Sequence, residues 1–279
     1  MTPRTSPITA IGFGLVPPIA LQVWFSYVHA PGIASWVQCN PMASLPSRMT
    51  VPAWAGGAFT VDDADIRKPG ECTGQFWTSA ASNHDFIAVA YPTCVVNVGK
   101  AVEFGTLMQR SRDGGMWSTS GTFTAKTNLI PIDKHPFGVG IVGGSSWDLI
   151  SGASTGGFIF VPVTIPVNDA FKINVNGGWL YDNVAKISYA TWGAGFEWNF
   201  VKDQWTLIGE VFGQAGSLPA VNPGDPPSPN SIVEPRTQLG LRFNPQKNID
   251  IDLIWGHNIT GENAQWATLG MNVRFDLGH

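Results

Sequence analysis

Charge is scarce in this chain. Asp, Glu, Lys and Arg make up 13% of its 279 residues, about half the share usual in soluble domains. The net charge is −4 and no Lys/Arg cluster occurs, so no nucleic-acid partner is expected. Three cysteines are too few for a disulfide scaffold and lack metal spacing. Long apolar runs are missing as well. The most apolar stretch, residues 8–30, is interrupted by Pro17-Pro18, Gln22, Ser26, Tyr27 and His29, whereas a spanning helix needs about 20 apolar residues in a row. Helical periodicity of convincing length is absent after residue 55.

What the chain has instead is alternation. In residues 265–275, Ala267, Leu269, Met271, Val273 and Phe275 share one face, while Trp266, Thr268, Gly270, Asn272 and Arg274 share the other, because strand side chains alternate with period two. The pattern recurs in 171–179, 237–243, 249–255 and 117–129, and more weakly in 102–110, 137–141, 158–165, 187–200 and 205–214. Pro162 weakens one of these runs, since proline removes a ladder donor. Gly (32) and Trp (12) are abundant. Trp117, Trp147, Trp179, Trp198, Trp205 and Trp255 fall near predicted strand ends, as an interfacial girdle requires; Trp266 faces the polar side and does not fit.

These features predict an all-β fold, a transmembrane antiparallel β-barrel of about 12 strands. Short turns at 131–135, 166–169, 201–203 and 244–248 alternate with longer connections at 145–155, 181–186, 216–234 and 258–263; the turn at 111–115 is the exception. Cys72 and Cys94 lie symmetrically about Asn83. A hairpin turning there sets them opposite one another, at a separation suited to a disulfide. The alternative, residues 59–100 as a periplasmic segment or plug, leaves ten strands. Residues 1–55 divide off as an export leader or a mis-assigned N-terminal extension, with Cys39 in it, and 56–71 as a periplasmic N-terminal segment. The barrel itself takes 72–279.

The polar faces carry Glu103, Lys126, Lys172, Glu197, Glu210, Arg236, Arg242, Asp250, Asp252 and Arg274. Inside a barrel these residues line the lumen. They form either a selective polar path or a salt-bridged filling, because an isolated charge in a dry interior is costly. Asp62, Asp63 and Asp65 start like a calcium loop but fail the spacing, which leaves a solvated acidic patch. His84, His135 and His257 lack companions at ligand spacing. No catalytic residue, metal or cofactor is expected.

The segments Ser145-Ser146-Trp147-Asp148, residues 235–243 (PRTQLGLRF) and 249–263 (IDIDLIWGHNITGEN) resemble those of proteobacterial outer-membrane β-barrel proteins of porin-like type, many of them uncharacterised. The resemblance spans about residues 72–275. It implies the outer membrane of a Gram-negative bacterium, contact with outer-membrane lipid, and insertion by the barrel-assembly machinery. Phe275 resembles the terminal aromatic of the assembly signal, although Asp276-Leu277-Gly278-His279 follow it. The function it implies is a passive channel for small polar solutes, or a structural barrel, and not an enzyme. Two alternatives stay open: a soluble periplasmic all-β binding protein, with its apolar faces inward, and a rim-located lipid hydrolase using His257, Asn258 and Ser145-Ser146. Oligomeric state is not readable from the sequence.

Overall fold

The computed structural model describes residues 58–216, 231–260 and 263–277. The expected leader, Cys39 and most of the 216–234 connection lie outside them. Twelve antiparallel strands, each hydrogen-bonded to its sequence neighbours, close through a β1–β12 pairing. They are β1 (Glu71–Ala81), β2 (Phe86–Asn97), β3 (Ala101–Asp113), β4 (Met116–Ile130), β5 (Gly138–Asp148), β6 (Ser154–Asn168), β7 (Phe171–Asp182), β8 (Ile187–Val201), β9 (Trp205–Gly216), β10 (Ser231–Gln246), β11 (Ile249–Asn258) and β12 (Gln265–Asp276). An even strand number puts both ends of the barrel sequence at one rim. Closure removes the unpaired edge that an open sheet would expose.

The two faces are chemically opposite. Phe76, Phe104, Met108, Phe123, Val175, Leu253, Leu269 and Met271 are exposed on the outside, while Thr73, Gln75, Thr122, Lys126, Asn174, Glu210, Gln238, Asp252 and Asn272 are buried inside. A soluble barrel has the reverse arrangement, with its apolar rows inward. Trp117, Trp147, Trp179, Trp198 and Trp255 are exposed at outward positions of their strands. Trp266 points inward and lies over Gly256, where a Cβ would meet its ring at 2.3 Å.

Pro162 does not weaken its strand. It sits within β6, opposite Asn176 of β7, and the β5–β6 ladder has no bridge pairs between Val139–Val163 and Val142–Phe160, with the register the same on both sides. The missing donor therefore falls in a gap of the ladder. Pro92 is accommodated likewise, in the break of β2–β3 pairing between Ala90–Met108 and Thr93–Gly105.

Cys72 pairs with Cys94 in register and the two form a disulfide. Residues 71–97 are thus a hairpin of the wall, and the ten-strand alternative is excluded. The exceptional turn at 111–115 is explained by Gly114 and Gly115, whose φ values of 54° and 87° suit a two-residue hairpin turn with positive φ at both positions. One expected loop, 145–155, is mostly strand: β5 runs to Asp148 and β6 starts at Ser154.

Candidate functional site

Residues 58–66 do not hang below the barrel as a separate periplasmic segment. They lie inside it, and Lys68 and Pro69 emerge exposed just before β1. Ala58, Phe59, Val61, Asp62 and Ala64 are all buried, and each meets the inner wall at a different strand. A Cβ added at Gly270 of β12 would stand 3.2 Å from Ala58 Cβ, and one at Gly240 of β10 would stand 2.6 Å from the Phe59 ring. At Gly193 of β8 it would meet Val61 at 2.9 Å, and at Gly138 of β5 it would meet Ala64 at 3.1 Å. Inward glycines thus form a track along which the segment follows the wall.

Polar contacts fix it there. Glu210 of β9 accepts from the backbone N–H of Thr60 at 2.9 Å and of Val61 at 3.0 Å, and from Gln238 Nε2 at 2.7 Å. Both Asp62 oxygens accept from Lys126 Nζ of β4 at 3.0 Å. Asn176, with its amide turned to satisfy both partners, accepts from Asp62 N at 2.7 Å and donates to Asp62 O at 2.9 Å. Asp63 bridges Lys126 at 3.4 Å and Lys172 at 3.3 Å, and Lys172 also pairs with Glu197 at 3.0 Å. The network closes through Asn174, which donates to Glu197 at 2.9 Å and accepts from Thr164. Thr164 Oγ1 in turn accepts from Ala64 N at 2.8 Å. Buried charges are tolerated when paired and hydrogen-bonded in this way.

The acidic patch expected at 62–65 is therefore no solvated surface, because Asp62 is the buried counter-ion of Lys126. Beside it lies an apolar layer. Ala58 and Phe59 join Trp77, Val89, Leu107, Ile208 and Ile254 in one buried cluster, which occupies the section of the lumen between β9 and β3. Arg242 links the two chemistries. Its guanidinium stacks 5.3 Å from the Phe59 ring centroid and grips Asp252 by two bonds, at 2.7 and 3.1 Å.

Every one of the ten polar-face residues lies on the inner face, but not as an open lining. Lys126, Lys172, Glu197, Glu210, Arg242 and Asp252 are engaged as described, and Asp252 also accepts from Asn272 at 3.2 Å. Asp250 accepts from Arg274 and Asn244. Glu103, Asp250 and Arg274 border a cavity of about 490 Å³ with Asp65 and Arg67, at the rim where β1 starts. Arg236 shares the face of Gln238, two residues nearer the opposite rim. Beyond the segment, a second space of about 50 Å³ lies among Thr60, Phe160, Asn176 and Phe212.

The residues of the hydrolase alternative are not brought together. Ser145 and Ser146 are on β5 and His257 on β11, across the barrel from one another. His257 Nδ1 contacts the backbone oxygen of Asn258, and Ser146 bonds Thr122. Among the described residues no group of three or more His, Cys, Asp or Glu is placed to hold a metal.

Residues 45–275 match the family described as uncharacterised conserved protein UCP029691. The chain belongs to that family. No curated protein matches it. Among solved structures it resembles the KdgM porin (TM-score 0.51, 11% identity, over 73% of this chain and 99% of the porin). It also resembles the NanC porin (0.54, 6%, over 72% and 98%). A third similar structure is the COG4313 outer membrane channel from Pseudomonas putida F1 (0.54, 10%, over 76% and 98%). At such identities the likeness is one of fold, that of porin-like barrels.

Proposed function

We propose that this protein is an integral barrel of the outer membrane of a Gram-negative bacterium, a passive channel for small polar solutes. Its own N-terminal segment holds the lumen shut. The observation that carries this reading is the Asp62–Lys126 pair: a segment that is not part of the wall supplies the counter-ion of a buried wall lysine. Outward rows of Leu, Phe and Met support membrane insertion, since a lipid-facing wall has an apolar outer band and a polar interior. The fold shared with porins and an outer-membrane channel supports the role. Phe275, exposed on the outer face of the last strand, serves as the assembly signal, and residues 1–55 as the leader.

Opening requires residues 58–66 to leave the track. Lys126, Lys172, Glu210 and Arg242 then face water and line a path of mixed charge. In planar bilayers the wild-type barrel is expected to be almost silent, and a variant lacking residues 59–65 to carry a steady ionic current. A variant that folds yet stays silent favours a structural barrel. A large steady current from the wild type removes the closing role of the segment.

A further inference from the structure

The outer face of β3 changes character towards the rim opposite the chain ends. Thr106 and Met108 are followed at outward positions by Arg110 and Arg112, both exposed. Cross-strand register sets Arg112 between Phe86 and Trp117, and Arg110 between Ala88 and Thr119. Arginine on a lipid-facing wall is expensive near mid-membrane and cheap close to the interface, and the neighbouring exposed Trp117 marks that interface. Arg110 is held in place. Its Nη1 donates to Thr119 Oγ1 at 2.6 Å, and its guanidinium lies 5.0 Å from the Trp117 ring centroid. Among the described residues, neither arginine forms an ion pair with a carboxylate. The two side chains leave the strand about 7 Å apart, twice the strand rise.

Directly below the arginines the wall is hollow. Thr78, Ala88, Ala90 and Gly121 present little side chain, whereas Phe76, Met108, Leu149 and Leu269 stand up around them. The resulting groove has a volume of about 720 Å³, is almost wholly apolar, and has Arg110 at its edge. Leu149 reaches back from the β5–β6 turn, close enough that a Cβ on Gly121 would meet it at 2.9 Å.

We propose that this face binds a lipid with a phosphorylated headgroup, Arg110 and Arg112 taking the phosphate and the groove taking an acyl chain. Guanidinium N–H groups match phosphate oxygens in charge and geometry. An apolar hollow continuous with the cationic pair fits a ligand that is charged at one end and greasy at the other. The proposal rests on the outer face meeting lipid, as argued above.

The test uses the full barrel in neutral detergent and native mass spectrometry, with diphosphoryl lipid A as probe and phosphatidylcholine and inorganic phosphate as comparators. Wild type is expected to retain lipid A in preference to phosphatidylcholine. R110A/R112A should bind lipid A about tenfold more weakly. A88F/A90F, which fills the groove and keeps both charges, should also lose it. Heat-modifiable migration verifies that each variant is folded. Undiminished lipid A binding by R110A/R112A overturns the proposal, as does inorganic phosphate competing as well as the lipid does. Pairs of barrels without lipid, lost in A88F/A90F, overturn it in favour of a second copy of this chain. Monodisperse wild type in detergent-free buffer overturns the membrane reading along with it, whereas failure of the arginine variant alone leaves that reading standing.

Discussion

Phe59 lies on Gly240: any β-carbon at that position of β10 would come within 2.6 Å of the ring. The glycine is the only residue type that lets the aromatic side chain reach Ile254 and the rest of the apolar layer. Gly240→Leu should therefore lift the segment without touching the hydrogen-bond ladder. Overpacking costs about 1–3 kcal/mol, which corresponds to roughly a 5- to 150-fold shift from the closed towards the open lumen. Single-channel recording reads this as a higher open probability. An unchanged silent trace, with correctly folded barrel, counts against the track.

Lys126 and Asp62 form a pair with side-chain exposures of 10% and 6%. Removing one member of a buried pair strands the other charge, at a cost of about 3–5 kcal/mol, while replacing both is often neutral. Lys126→Met should make residues 59–66 sensitive to protease in the folded barrel, and Lys126→Met with Asp62→Leu should restore protection. Equal sensitivity of the single and double variants would show that the pair does not hold the segment.

Arg242 and Asp252 belong to the same inner face once the segment is gone. In the variant lacking residues 59–65, Asp252→Asn should shift selectivity towards anions and Arg242→Gln towards cations, because each leaves the other charge in the path. Reversal potentials in a salt gradient measure the shift. Identical potentials for both variants would place the ion path elsewhere.

The Cys72–Cys94 disulfide, 22 residues apart in sequence, lies on the outward face of the first hairpin. Cross-linking a loop of that size stabilises by about 3 kcal/mol. Reduction, or Cys94→Ser, should lower the temperature of heat-modifiable unfolding and leave the current of the opened variant unaltered. A change in conductance would contradict the outward placement.

Much of the wall was legible locally. Residues such as Asp250 and Asp252 against Ile251 and Leu253 declare their faces through alternation alone, since neighbouring side chains on a strand must point opposite ways. Pro162 misled because its tolerance depends on a gap in the bridge pairs with the adjacent strand, which only the partner strand reveals. Residues 145–155 misled because Gly and Ser rows read as loop, yet Gly144 is needed where a Cβ would meet Phe158 at 2.3 Å. Inward glycines at 138, 140, 193, 195, 240 and 270 were the one available sign of a segment inside. Their meaning emerges only when their strands stand side by side.

The amino-acid order by itself determined the period-two wall and which rows are greasy and which polar, because these follow from backbone alternation; it offered the Cys72–Cys94 pairing through hairpin symmetry, and the closed barrel decided it. Tertiary structure alone decided where residues 58–70 go. Asp62 finds Lys126 across 64 positions of sequence, and Phe59 finds its seat among side chains of β1, β2, β3, β9 and β11. Such contacts exist only after the barrel has closed, so no local pattern encodes them.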